Sequence, residues 1–151
     1  MSTCMWAPAY EYVDSTGQVK EYPNVDATIA DEDTELATEL KRVEDLLGRN
    51  DDEGLPLYSK EAFNRARCFL KTQSAKAKKM YSLFAPVPDI GPGPNGSIDL
   101  HWKLKNCELL VNVPADKPAV YYGDDYGVGK LKGTLDPTTS DFGIILWLMS
   151  K

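Results

Sequence analysis

Residues 94–104 read Pro-Asn-Gly-Ser-Ile-Asp-Leu-His-Trp-Lys-Leu, a turn that leads directly into alternating apolar and polar residues. The apolar members fall on one face of an extended strand: Ile98, Leu100, Trp102 and Leu104. The polar members fall on the other face: Ser97, Asp99, His101 and Lys103. A two-residue period with one polar face is typical of an antiparallel sheet, so this stretch indicates the fold class. It does not indicate a function.

Further strands are predicted on both sides of this stretch. Residues 107–113 alternate in the same way, residues 119–122 form a third strand, and residues 87–90 form a short edge strand. Short strands joined by tight turns predict an antiparallel meander. The Gly- and Asp-rich residues 123–141 are predicted to be a loop, and the apolar residues 144–149 a last, central or covered strand.

Two helices are predicted before the strands. Residues 33–47 keep apolar side chains at helical spacing, with Asp33 or Thr34 as N-cap. Ser59 is predicted to cap a second helix. Its buried stripe is Ala62, Phe63, Ala66, Phe69 and Leu70. Whether this helix breaks at residues 72–74 or continues is left open.

The order of these elements predicts an α+β fold, with two to three N-terminal helices packed on one face of an antiparallel β-meander. A chain of 151 residues is expected to form one domain. The helical half spans residues 33–84, and the sheet half spans residues 87–149. Residues 1–25 are expected to be either a hairpin of residues 10–13 and 18–22 or a loosely attached arm.

The composition argues against a membrane protein and against a metal site. The longest apolar run, residues 142–149, is too short to cross a bilayer as a helix, and no secretory signal is visible. Cys4, Cys68 and Cys107 are widely spaced, and a single histidine leaves a zinc site incomplete. We therefore expect free thiols, a cytoplasmic protein, no membrane partner, no metal and no cofactor.

Charge is distributed unevenly along the chain. Residues 26–53 carry eleven acids against three bases, and residues 60–79 carry seven bases against one acid. The two segments are expected either to dock on each other or to bind different partners. For the second case, the acidic residues predicted to bind a basic protein are Asp31, Glu32, Asp33, Glu35, Asp51, Asp52 and Glu53. A specific version has this acidic face imitate nucleic-acid phosphates.

Three stretches of the sequence resemble catalytic or ligand-binding patterns, and none yields a catalytic residue. The Gly-rich residues 123–131 differ from a phosphate-binding loop, because Asp124 stands where glycine is needed and Leu131 where Ser or Thr is needed. The acidic turns lack the ligand spacing of a calcium loop. A dyad of Cys107 and His101, with Asp99 as orienting acid, is conceivable, but a surface histidine is the expectation.

Aromatic residues suggest a second binding surface. Tyr121 and Tyr122 point to opposite faces of a strand, so one of them must leave the core side. Exposed tyrosines beside polar residues are typical of protein-binding patches. This predicted sheet-face surface comprises His101, Tyr121, Tyr122 and Tyr126. An aromatic sheet face can also stack single-stranded bases, and the lysines that could hold phosphates are Lys71, Lys76, Lys78 and Lys79.

One resemblance rests on spaced residues along the chain. These are Ser59-x-x-Ala62-x-x-x-Ala66-x-x-Phe69-Leu70, Pro86-x-Pro88, Asn95-Gly96-Ser97-Ile98-x-Leu100-x-Trp102 and Tyr121-Tyr122. The pattern, over about residues 45–123, resembles a loose class of small bacterial and phage proteins of uncharacterised function. The resemblance implies a helix-then-meander domain and carries over no functional residue.

Together these features favour a non-catalytic protein-interaction module, of the antitoxin, immunity or defence-inhibitor type, that binds a basic protein. The oligomeric state is left open. The alternative is an RNA or single-stranded DNA binder that uses the lysine-rich helix and the sheet aromatics. Nucleic acid is the less favoured partner, because the chain carries a net charge of −6 and phosphate contacts dominate such binding.

Overall fold

The computed structural model describes residues 11–13, 19–21, 33–127, 129–139 and 141–151. The strands are β1 Glu11–Val13, β2 Val19–Glu21, β3 Asp89–Pro92, β4 Ile98–Lys103, β5 Glu108–Val113, β6 Ala119–Asp124 and β7 Lys130–Leu135. The helices are α1 Thr34–Glu44, α2 Lys60–Tyr81 and α3 Gly143–Met149. β1 pairs with β2, and β3 to β7 form a five-stranded antiparallel sheet in chain order. The α+β prediction is confirmed, with α1 and α2 preceding the meander and α3 following it.

The sheet has two chemically different faces, which we call inner and outer. The inner face carries Ile90, Ile98, Leu100, Trp102, Leu109, Val111, Val113, Ala119, Tyr121, Gly123, Leu131, Gly133 and Leu135. The alternation predicted for β4 is confirmed, since Ile98, Leu100 and Trp102 are buried. These side chains join those of all three helices in one core, so the helices cover the inner face.

Helix α1 buries Leu36, Leu40 and Val43. Asp33 occupies the N-cap position without a capping hydrogen bond, and its carboxylate accepts a hydrogen bond from Ser74 Oγ of α2 instead. α1 also contacts the edge of the sheet, because an Arg42 side-chain nitrogen lies 2.8 Å from the Ile90 backbone oxygen in β3.

Helix α2 confirms the predicted cap and stripe. Ser59 Oγ accepts a hydrogen bond from the Ala62 amide at 2.8 Å, and the five predicted stripe residues are buried. The helix runs through residues 72–74 without a break, because Gln73 and Ser74 are themselves buried against neighbouring structure. It ends at Ser82, which adopts a left-handed conformation with φ of 53°.

The loop predicted over residues 123–141 is wrong in its second half, where β7 pairs with β6. Leu131 and Leu135 lie on the inner face and pack against the core, which is the two-residue period of a strand. Gly133 stands between them because the Tyr121 ring lies over it; an added Cβ would lie 2.5 Å from Tyr121 Oη. The glycines before this strand misled the prediction.

The strand predicted over residues 144–149 is also wrong, since these residues form α3. Ile144, Ile145 and Leu148 are buried, which is helical spacing, and Leu146 is exposed. A short run that is apolar throughout does not distinguish strand from helix by periodicity alone. α3 adds cover to the inner face, because Trp147 lies directly over Gly123 of β6.

The cysteines differ from one another. Cys107 is a free thiol buried in the core, whereas Cys68 is disulfide-bonded, so the prediction of free thiols is wrong for Cys68. Cys4 lies outside the described residues. Cysteine usage therefore no longer supports the predicted cytoplasmic compartment.

Candidate interaction surface

The outer face of the sheet is the opposite side of β3 to β7, and the strand register orders its side chains in three rows. The middle row crosses all five strands: Asp89, His101, Leu110, Tyr122 and Lys132. One flanking row holds Lys103, Glu108, Asp124 and Lys130. The other holds Asp99, Asn112, Val120 and Thr134. The middle row therefore runs from an acid through apolar side chains to a base.

The centre of the outer face is apolar and exposed. Leu110, Val120 and Tyr122 keep 39%, 50% and 44% of their surface accessible. Leu110 lies directly opposite Tyr122, and Val120 stands two residues from Tyr122 on the same strand face. Adjacent exposed apolar side chains in the middle of a sheet, rimmed by polar residues, are typical of a binding surface.

The charges around this centre are polarised. Asp89, Asp99 and Glu108 lie on β3 to β5, and Lys130 and Lys132 lie on β7. In the row of Glu108 the order is less regular, because Lys103 lies on β4 and Asp124 on β6. The outer face is thus mainly acidic towards β3 and basic along β7.

Glu108 links two residues, His101 and Tyr126, at one end of the outer face. Tyr126 Oη donates a hydrogen bond to Glu108 Oε1 at 2.9 Å, and His101 Nε2 lies 3.4 Å from Glu108 Oε2. The hydrogen bond from Tyr126, and then the one from His101, lower the pKa of the Glu108 carboxyl below its ordinary value. His101 and Tyr126 are therefore held together through an acid that the sequence did not single out.

The loop after β6 positions Tyr126. The Asp125 carboxylate accepts hydrogen bonds from the Gly127 amide at 3.0 Å and the Gly129 amide at 2.8 Å. These bonds lower the pKa of Asp125. In a phosphate-binding loop such amides would bind the ligand, whereas here they donate to the Asp125 carboxylate. Tyr126 in the same loop adopts a left-handed φ of 63°.

The four residues predicted for the sheet-face surface separate into two groups. His101 and Tyr122 share the middle row, and Tyr126 reaches them through Glu108. Tyr121 lies on the inner face, packed against the core. Sequence reasoning missed Leu110 and Val120. The signal was present, because Leu109-Leu110-Val111 places apolar residues on both faces of β5.

The acidic residues predicted as a second surface fall into two groups along the chain. Asp33 and Glu35 lie at the start of α1, and Asp51, Asp52 and Glu53 lie in the loop that follows it. Asp51 Oδ1 also accepts the amides of Glu53 and Leu55, both at 2.9 Å, so it shapes its own turn. Asp31 and Glu32 lie outside the described residues.

Acids between these two groups are paired. Arg42 hydrogen-bonds to Glu39, which lowers the pKa of that carboxyl, and Asp45 pairs with Lys41 at 2.8 Å. Glu44 pairs with Arg67 of α2 at 2.9 Å. This last ion pair joins the acidic segment to the basic one, as the internal-docking alternative predicts.

The lysine-rich part of α2 and the exposed tyrosine of the sheet, Tyr122, lie on opposite sides of the sheet, whereas Tyr81 of α2 is exposed beside these lysines. Helix α2 packs on the inner face, whereas Tyr122 projects from the outer face. A single strand of nucleic acid bound by Lys76, Lys78 and Lys79 would therefore not reach Tyr122 along one continuous surface.

Cys107 and His101 do not form a dyad. Cys107 is fully buried in the core, and burial raises the pKa of its thiol. His101 lies on the outer face, and its acidic neighbour is Glu108. Asp99, the predicted orienting acid, accepts a hydrogen bond from Asn112 at 2.7 Å.

The described residues hold no candidate metal site and no candidate membrane-spanning helix. No group of three or more His, Cys, Asp or Glu side chains in this part of the chain is arranged to hold a metal ion. Within the same residues, no helix has the length and apolar character needed to span a membrane.

Comparison with protein-family models, with curated proteins and with solved structures finds no match to this chain. The resemblance to small bacterial and phage proteins therefore stays a prediction.

Proposed function

We propose that this protein is a non-catalytic protein-interaction module that docks another polypeptide on the outer face of its sheet. The observation that carries the proposal is the exposed apolar centre formed by Leu110, Val120 and Tyr122. Fully burying an apolar side chain of this size contributes roughly 1.5–3 kcal/mol. A tyrosine surrounded by a polar rim is also the residue type that dominates many protein interfaces.

The charges beside the apolar centre define the partner. A complementary partner places basic groups opposite Asp89 and acidic groups opposite Lys132. The basic surface expected of a partner is therefore needed on the β3 side of the outer face. In this proposal the protein is a small antitoxin-, immunity- or defence-inhibitor-type binder, acting by occupying a surface.

The proposal is tested by photo-crosslinking in extracts of the source cells. A photoreactive amino acid replaces Val120, which lies in the apolar centre, and a second chain carries it at Leu146. Leu146 is a matched control, because it is 42% exposed and lies on α3, which covers the inner face. We expect an adduct with another polypeptide from position 120 that is absent from position 146.

Adding Tyr122→Asp to the position-120 chain is expected to abolish the adduct, because a charge in the apolar centre must be desolvated on docking. An adduct that survives Tyr122→Asp, or no adduct with any polypeptide, contradicts the proposal. Thermal unfolding of each variant shows whether its fold is intact.

A further inference from the structure

We infer that the polypeptide that fits the outer face is a second copy of this chain, packed face to face about a two-fold axis parallel to the strands. The inference rests on the proposed function, since it names the occupant of the same surface. Its basis is the charge order of the middle row: read from β3 to β7, this row pairs favourably with the same row of a second copy read from β7 to β3.

A two-fold axis parallel to the strands, passing over β5, places β3 of one copy over β7 of the other. In the middle row, Asp89 then faces Lys132 of the second copy, and His101 faces its Tyr122. Leu110 lies on the axis and meets the same residue of the second copy. Each charged end thus meets its opposite at both edges of the interface, and the apolar side chains meet in the centre.

The flanking rows agree in part with this arrangement. Lys103 on β4 faces Asp124 on β6 of the second copy, which is again a favourable pairing. Glu108 lies close to the axis and faces its own equivalent, which is unfavourable. Its carboxylate, however, is already engaged by Tyr126 and His101 of the same chain. In the other flanking row Asp99 on β4 faces the apolar Val120 on β6, although the Asp99 carboxylate accepts a hydrogen bond from Asn112 of its own chain.

The other in-plane two-fold axis, perpendicular to the strands, gives a different result. It places β3 over β3 and β7 over β7, so that Asp89 faces an aspartate and Lys132 faces a lysine. Like charges opposed across an interface disfavour association. The polarity of the outer face therefore selects the axis parallel to the strands.

The size of the face sets the expected affinity. Five strands spaced about 4.8 Å apart, with six residues at about 3.4 Å each, give a face of roughly 24 by 20 Å. Two such faces bury on the order of 1,000 Å² in total, which is at the lower end for specific interfaces. We expect a dimer with a dissociation constant in the micromolar range.

Sedimentation equilibrium of the purified full chain, from about 1 to about 500 µM at low salt, measures this association. We expect a monomer–dimer equilibrium that weakens at high salt. Tyr122→Asp is expected to weaken it at least about ten-fold, and Leu146→Asp on α3 to leave it unchanged. Thermal unfolding identifies any variant that fails to fold; Val120→Lys then serves as the second test of the same centre.

Two single charge reversals test the axis itself, because with the perpendicular axis each would only exchange one like-charged pair for another and leave association unchanged. Asp89→Lys and Lys132→Glu are each expected to weaken self-association several-fold, because each places like charges together at both edges. An equal mixture of the two variants is expected to recover a dimer as strong as that of the original chain, because every edge again pairs opposite charges.

Three results overturn the inference. They are a chain that stays monomeric throughout the concentration range, a dimer that Tyr122→Asp does not weaken, and a mixture that recovers no association. A monomeric chain that still forms the position-120 adduct with a different protein overturns only the identity of the occupant. The absence of any adduct in extracts overturns the proposed function as well.

Discussion

The two faces of the same sheet differ in role although they alternate along the same strands. On the inner face, Leu109 is fully buried; one residue later, Leu110 stands on the outer face with 39% of its surface exposed. The difference arises from the helices, which cover one face and leave the other uncovered. The comparison teaches that stability and recognition are divided between neighbouring residues of one strand.

The strongest test of this division is Trp102→Ala on the inner face. Trp102 is almost fully buried, and its Nε1 donates a hydrogen bond to the Pro86 backbone oxygen at 2.7 Å. The substitution removes that bond and leaves a large cavity, so we expect the free energy of unfolding to fall by about 3–5 kcal/mol. Urea denaturation measures it. A loss below about 1 kcal/mol would show that the inner face is not the core.

Leu109 and Leu110 are adjacent leucines on opposite faces of β5, so the same substitution at each compares the two faces directly. Leu109→Ala is expected to lower the free energy of unfolding by about 2–5 kcal/mol, and Leu110→Ala by less than about 1 kcal/mol. Both remove the same atoms from adjacent positions, so the difference reports burial alone. Denaturation curves of the two variants, measured together, test it; equal losses would mean that the outer face is covered in the folded chain.

The smallest effect concerns pH and the loop at the end of the outer face. The pKa of Asp125 is lowered in the folded chain. This carboxylate therefore stabilises the fold at pH values above its unfolded-state pKa of about 3.8. That stabilisation is lost as the pH falls through the folded pKa. Asp125→Asn is expected to be less stable than the original chain at neutral pH, and the gap is expected to narrow below about pH 4.

Thermal unfolding from pH 7 down to about pH 2 measures this gap. Asp116→Asn, the same substitution at an exposed aspartate in the turn between β5 and β6, is the control for a general effect of removing a surface carboxylate. A gap that stays constant over the whole range would show that the charge of Asp125 contributes nothing.

The parts of the fold that sequence predicted are those where local pattern and burial agree. The alternation of β4 and the stripe of α2 each follow one period over a whole element, and Ser59 supplies a start signal. β7 failed because Gly127 and Gly129 precede it and Gly133 interrupts its side chains. α3 failed because its run is apolar throughout and only seven residues long.

The candidate site was predictable only in part for a different reason. The pattern required that either Tyr121 or Tyr122 leave the core, but which one does depends on the face that the helices cover. Leu110 and Val120 became visible as surface residues only once α1, α2 and α3 were placed. The ion pair of Glu44 with Arg67 joins residues far apart in sequence, so local pattern left open whether the acidic and basic segments dock on each other.

The contact between Arg42 and the Ile90 backbone oxygen has a consequence for aggregation. An open sheet can grow without limit if strands of other molecules add to its edges. At the β3 border the Ile90 carbonyl already accepts a hydrogen bond from Arg42, and the strand ends in Pro92, which lacks an amide hydrogen. At the β7 border two lysines, Lys130 and Lys132, project from the strand. Both borders thus discourage fibril growth.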